Sequence, residues 1–157
     1  MTWPVIAPAD LPAAPSDDRL VLAPLGPEHN ERDHAAWMSS IDHIRATPGF
    51  GAGDWGNDRW PYEMSLGQNL GDLEMHRGEF ERGEAYAYTV LDHDGDDVIG
   101  CVYVDPDDSG TADVMVRSWV RASHAELDEH LAAIVDRWLR TRWPVDSVRW
   151  PGRTITR

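Results

Sequence analysis

Residues able to do chemistry are sparse in this chain, and the densest group is Arg121-Ala-Ser-His-Ala-Glu-Leu-Asp128. An apolar run ending at Val120 gives way there to an amphipathic helical pattern. The amides of a helix start, with Arg121 and Ser123, are the parts from which an anion site is made. The same stretch also argues the other way. Ser123 and Glu126 have capping-box spacing, and Glu126, Asp128 and Glu129 bring negative charge to the first turn, where it stabilises a helix by ~0.3 to 1 kcal/mol. Carboxylate and phosphate would compete for the same amides.

A second group lies in residues 46–64, where Trp55, Trp60 and Tyr62 stand among four glycines without a usable period. Long aromatic loops in compact domains commonly shape binding sites. Gly49-Phe-Gly-Ala-Gly53 has the look of a nucleotide loop, but no strand precedes it and no helix opens after it. The single cysteine, Cys101, lies in an apolar strand pattern and is expected to be a buried thiol. Seven histidines show no metal spacing, and the absence of lysine excludes Schiff-base chemistry. No constellation for lyase or hydrolase chemistry is present.

With 157 residues the chain suits one domain, and its formal charge of -14 is uneven. Residues 1–116 hold six Arg against 23 acids, whereas residues 117–157 hold eight Arg against five. A nucleic-acid partner is disfavoured because no extended basic footprint exists. No apolar run approaches the ~20 residues of a membrane span, and the N-terminus has no secretory pattern, so a cytoplasmic location is expected.

Residues 1–17, with four prolines, are expected to form an arm, and residues 18–157 a single domain. Arg19–Pro24 predicts a strand, Glu28–Ile44 a helix, and Ser65 with Gln68 a capping box opening a helix with Leu66, Leu70, Leu73 and Phe80 on its buried side. Glu84–Leu91 and Val98–Val104 predict a hairpin. The former puts Tyr86, Tyr88 and Val90 on one face. Ala112–Val120 predicts a third strand, with Val114, Val116 and Val120 opposite Asp113, Met115, Arg117 and Trp119. A helix is expected next from Ser123 to about Arg142, with Leu127, Leu131, Ile134, Val135, Trp138 and Leu139 as its stripe. Val145–Trp150 predicts a last strand.

This order, with Tyr88-Thr-Val-Leu, Val98-Ile-Gly-Cys-Val-Tyr-Val and Ser118-Trp-Val-Arg before the long helix, resembles the GCN5-related N-acetyltransferases over residues 18–150. The resemblance implies an α+β fold, with a mixed and mainly antiparallel sheet flanked by helices. It also implies acetyl transfer from acetyl-CoA to a small-molecule amine, without a metal. Val116, Trp119 and Val120 would hold the pantetheine, and Arg121 and Ser123 the phosphates. Asp113, with Glu84 behind it, would be the base, and Trp55, Trp60, Tyr62, Tyr86 and Tyr88 would shape the acceptor pocket. The family's glycine-rich turn falls on Ala125-Glu-Leu-Asp128, which has no glycine. Its usual helix and hairpin beyond the fifth strand are unmatched, so the sheet is expected to be C-terminally shortened and open to completion by a second copy. The alternative is a GNAT-fold binding module that no longer uses acetyl-CoA.

Overall fold

The computed structural model describes residues 2–51 and 60–157. Five strands form one sheet in the order β1 (Leu20–Pro24), β2 (Tyr86–Asp92), β3 (Val98–Asp105), β4 (Val114–Val120) and β5 (Val148–Arg149). The first four run antiparallel, and β5 pairs parallel to β4. Helices α1 (Asn30–Met38), α2 (Ile41–Arg45), α3 (Leu66–Arg82) and α4 (Asp128–Arg142) complete the α+β architecture. No helix among the described residues is long and apolar enough to cross a membrane.

Alternation along β2 to β4, shifted once by the bulge where Val90 pairs with Gly100 and Leu91 with Val98, sorts the core into two layers. Tyr86, Tyr88, Val90, Val102, Val104, Val116 and Val120 face α4, where Leu131, Val135, Trp138 and Leu139 cover them. Ala87, Leu91, Val98, Cys101, Tyr103 and Trp119 face the other way, toward Trp37 of α1, Ile44 of α2 and Leu73 of α3. The arm is packed on the α4 side. Trp3 stacks on Tyr86 with ring centroids 5.5 Å apart, the Tyr86 hydroxyl accepts from the Ile6 N–H at 2.8 Å, and Trp138 Nε1 donates to the Ala13 carbonyl. Trp143 and Trp150 are buried in the same layer.

Both Ser65–Gln68 capping bonds are present, Gln68 N–H to Ser65 Oγ at 3.1 Å and Ser65 N–H to Gln68 Oε1 at 2.9 Å. At its other end α3 stops on Gly83 in the left-handed region, a conformation glycine adopts without a Cβ penalty. Leu66, expected on the buried side, is 45% exposed, and Asn69 takes a buried position instead.

Three expectations are corrected. The helix expected over 28–44 divides into α1 and α2, because Ser39 Oγ bonds the Ala36 carbonyl and Ser40 leaves helical geometry at φ −136°. The capping box at Ser123 does not form. Ala122–Leu127 is a 3₁₀ segment in which His124 departs from helical geometry, Ser123 Oγ bonds His124 Nδ1 at 2.9 Å, and α4 begins at Asp128. The last strand is two residues long, pairing Val148 with Val114 and Arg149 with Met115. The chain beyond β5 is anchored by charge. Asp136, buried inside α4, accepts from Trp150 Nε1 at 3.0 Å and from Arg157 Nε at 3.0 Å, while Arg153 pairs with Asp128 at 2.7 Å.

Candidate ligand pocket and the closed cofactor track

On the sheet face opposite α4, a cavity of about 280 Å³ is lined by Asp33, Trp37, Trp60, Asn69, Asp72 and Tyr103, with His76 and apolar wall residues. Asp33 and Trp37 are four apart on α1, and Asn69, Asp72 and His76 recur along one side of α3, so helical spacing aims each set inward. Tyr103 rises from β3 between the two helices. Trp60, coming from the loop, lies 5.6 Å from the Trp37 ring and 6.5 Å from the Tyr103 ring, so three aromatic rings enclose one corner.

Asp33 is the unusual member, a carboxylate only 4% exposed. Asn69 Nδ2 donates to its Oδ2 at 3.0 Å, and the Asn69 amide oxygen accepts from Trp37 Nε1 at 3.1 Å. Its side-chain partners are therefore neutral, and no ion pair reaches it among the described residues. Burial pushes its carboxyl up to about 6, against the pull of the Asn69 hydrogen bond and of His76 and His34. Burial also raises Asp72. Asp105, at the end of β3, is pushed up to about 6 by burial, partly offset by His76 and Arg117. A desolvated carboxylate walled by aromatic faces is the chemistry that recognises an organic cation.

Of the expected acceptor residues, Trp60 lies in this pocket and Trp55 lies outside the described residues. Tyr62 borders a separate hollow of about 670 Å³ at the α1–α2 corner, together with Asp42, His43 and Arg45. Tyr86 and Tyr88 are corrected. They point to the α4 side of the sheet, are fully buried, and pack edge-on against Phe80, so they belong to the core. Asp33, Trp37, Asn69 and Asp72 were not singled out by sequence. The available signal was one polar residue among the otherwise apolar buried positions of each helix, Asp33 on α1 and Asn69 on α3.

The two expected bases are also committed elsewhere. Asp113 Oδ2 accepts from the N–H of Asp146 at 2.7 Å and of Ser147 at 3.2 Å, and Oδ1 accepts from the Thr2 N–H at 2.8 Å. Led by the Asp146 bond, these hold its carboxyl below the usual range and make it a clip joining the arm, β4 and the approach to β5. Glu84 is exposed and pairs with Arg82 at 2.8 Å.

The expected cofactor residues occupy the end of β4. Val116 and Val120 face α4, Trp119 faces the pocket layer, and all three are closed from solvent. Arg121 bonds Asp97 at 3.3 Å, the Val98 carbonyl and Ser39 Oγ. The first amide beyond it, Ala122 N–H, donates to Ser40 Oγ at 2.8 Å. Strands β4 and β5 part after Met115 and Arg149, yet the opening is bridged. Arg117 Nε donates to the Gly49 carbonyl at 2.9 Å, and a Cβ built on Gly49 would lie 3.2 Å from both Arg117 Cγ and the Pro151 carbonyl. Gly49, at φ +93°, occupies the left-handed region in the space between them. With Glu126, Asp128 and Glu129 at the helix start, these residues do not fit a pyrophosphate and pantetheine arm in this arrangement.

No family model and no curated protein sequence matches the chain. Solved structures do match its fold. RimL, a ribosomal L7/L12 α-N-protein acetyltransferase in complex with coenzyme A, is 15% identical with a TM-score of 0.60, covering 81% of this chain and 67% of that one. A spermidine N-acetyltransferase from Vibrio cholerae in complex with CoA and spermine is 13% identical with a TM-score of 0.59, covering 85% of this chain and 71% of that one. A ribosomal-protein-S5-alanine acetyltransferase from Vibrio fischeri is 9% identical with a TM-score of 0.60, covering 81% and 67%. The chain thus spans about two thirds of the length of these neighbours, and with its five-stranded sheet, two-layer core and parting strands, its fold is that of the GCN5-related N-acetyltransferases.

Proposed function

We propose that this protein binds a small organic cation, an amine in its protonated form, on a GNAT fold whose cofactor track is closed. One observation carries the reading: Asp33, a buried carboxylate with neutral hydrogen-bond partners, sits beneath Trp37, Trp60 and Tyr103. Burying an unpaired carboxylate costs several kcal/mol, and a ligand cation supplies the missing charge. The rings add ~0.5 to 2 kcal/mol through their faces while excluding water from the pair. A fold neighbour in complex with CoA and spermine supports a cationic ligand class.

A second reading, transfer of an acetyl group from acetyl-CoA to the amine in this pocket, is favoured by the parting of β4 and β5 after two residue pairs. It requires Pro48–Gly49 to leave the opening and Ser40 to release the Ala122 amide. Calorimetric titration of the whole chain with n-butylamine and, separately, with acetyl-CoA tests both. Heat from the amine alone supports the first reading, and heat from both supports the second. Silence from the amine at millimolar concentration rejects the pocket as an amine site.

A further inference from the structure

Resting on the reading that the pocket binds an amine, we infer that its ligand is an organic dication with an aliphatic link, one charged end held by Asp33 at the floor and the other by Asp72 at the rim. The two carboxylates stand at different depths. Asp33 is 4% exposed, whereas Asp72 is half-buried on the outward part of α3. The wall includes Leu25, Leu73 and Met75, which offer methylene-compatible surface to a linking chain and nothing to solvate a polar one. Met75 is 50% exposed at the mouth, an uncommon exposure for a side chain that size and one that a seated alkyl chain would cover.

The balance of charge favours two positive ends over one. Among the described residues the lining holds Asp33 and Asp72 and no arginine, and its single group able to carry positive charge is His76. His76 is already shared. It acts on Asp33, Asp72 and Asp105 and lies 3.6 Å from Glu79, while Arg117 serves Asp105 from the far side. A monocation neutralises the floor and leaves the rim carboxylate desolvated further by the ligand itself. A dication satisfies both. The cavity volume of about 280 Å³ accommodates a short diamine and excludes bulky cations.

The test compares n-butylamine with the α,ω-diamine of the same chain length by calorimetry on the native protein. The diamine is expected to bind about tenfold more tightly, the gain of one partly desolvated charge pair. In Asp72→Asn the ratio of diamine to n-butylamine affinity is expected to fall to within about twofold, with near-ultraviolet circular dichroism confirming native tryptophan packing. Equal affinity for mono- and diamine in the native protein overturns the dication and leaves the amine pocket standing. Binding of neither overturns both.

Discussion

Asn69 Nδ2 donates to Asp33 Oδ2 at 3.0 Å, tying α3 to α1 through a carboxylate that faces aromatic rings instead of water. The Asn69 amide is fully used, since its nitrogen also donates to Asn30 Oδ1 at 2.9 Å and its oxygen accepts from Trp37. The carboxylate is therefore held in place by neutral groups, and its charge is unmatched until a ligand supplies a counter-charge.

Replacing Asp33 with Asn should separate stability from binding. In the folded chain its carboxyl is pushed up to about 6 from 3.8, so between those values the fold holds a proton that the unfolded chain has released. The stability this contributes is present at low pH and lost as pH rises through the folded value. The advantage of Asp33→Asn over the native chain should accordingly grow from pH 4 to pH 7.5 by about 2 kcal/mol, measured by urea denaturation at each pH. A difference that stays flat across the range contradicts the buried charge.

Cation binding should take the opposite course. As pH falls from about 7.5 to 5.5, Asp33 takes up a proton, and amine affinity should drop by about fourfold, with His34, His76, Asp72 and Asp105 as the other titratable groups around it. Calorimetry across that interval gives the profile. Asp33→Asn should bind weakly and show no such decline.

The anchor beyond β5 predicts a contrast between two partners. Asp136 is 2% exposed and accepts from Trp150, Arg140 and Arg157. Asp136→Ala strands the buried Trp150 N–H and should cost about 3 kcal/mol, whereas Arg157→Ala, on a half-exposed side chain, should cost less than about 1 kcal/mol. Equal losses in thermal or chemical unfolding would show that the buried acceptor is not the centre of the network.

Gly100 sits opposite Val120 in the β3–β4 ladder, where a Cβ would come 2.3 Å from the Trp119 carbonyl oxygen. Backbone cannot yield as a side chain does, so Gly100→Ala should destabilise by roughly 3 kcal/mol or more and loosen Trp119 behind the pocket. A loss below about 1 kcal/mol in chemical denaturation would mean that the ladder shifts freely.

Local pattern carried much of the fold. The alternation that groups Tyr86 and Tyr88 with Val90 is correct, but alternation does not say which layer each face meets, and these rings belong to the core instead of the site. Serine-based capping patterns show the same limit. At Ser65 the box forms, while at Ser123 the hydroxyl bonds the ring of His124, which has left helical geometry. The pocket was illegible for a related reason. Asp33, Trp60, Asn69 and Tyr103 come from four separate segments, and each taken alone is an ordinary surface or core residue. Only the crossing of α1 and α3 over β3 makes them one site.

The partition of indoles between the two layers has a practical consequence. Among the described residues, Trp37, Trp60 and Trp119 share the pocket layer, and Trp3, Trp138, Trp143 and Trp150 lie behind the sheet. A guest in the pocket would quench Trp37 and Trp60, which line it, by direct contact, and the second set would keep emitting as an unperturbed reference. The molecule thus carries an intrinsic ratiometric fluorophore pair, with which occupancy can be read without a label.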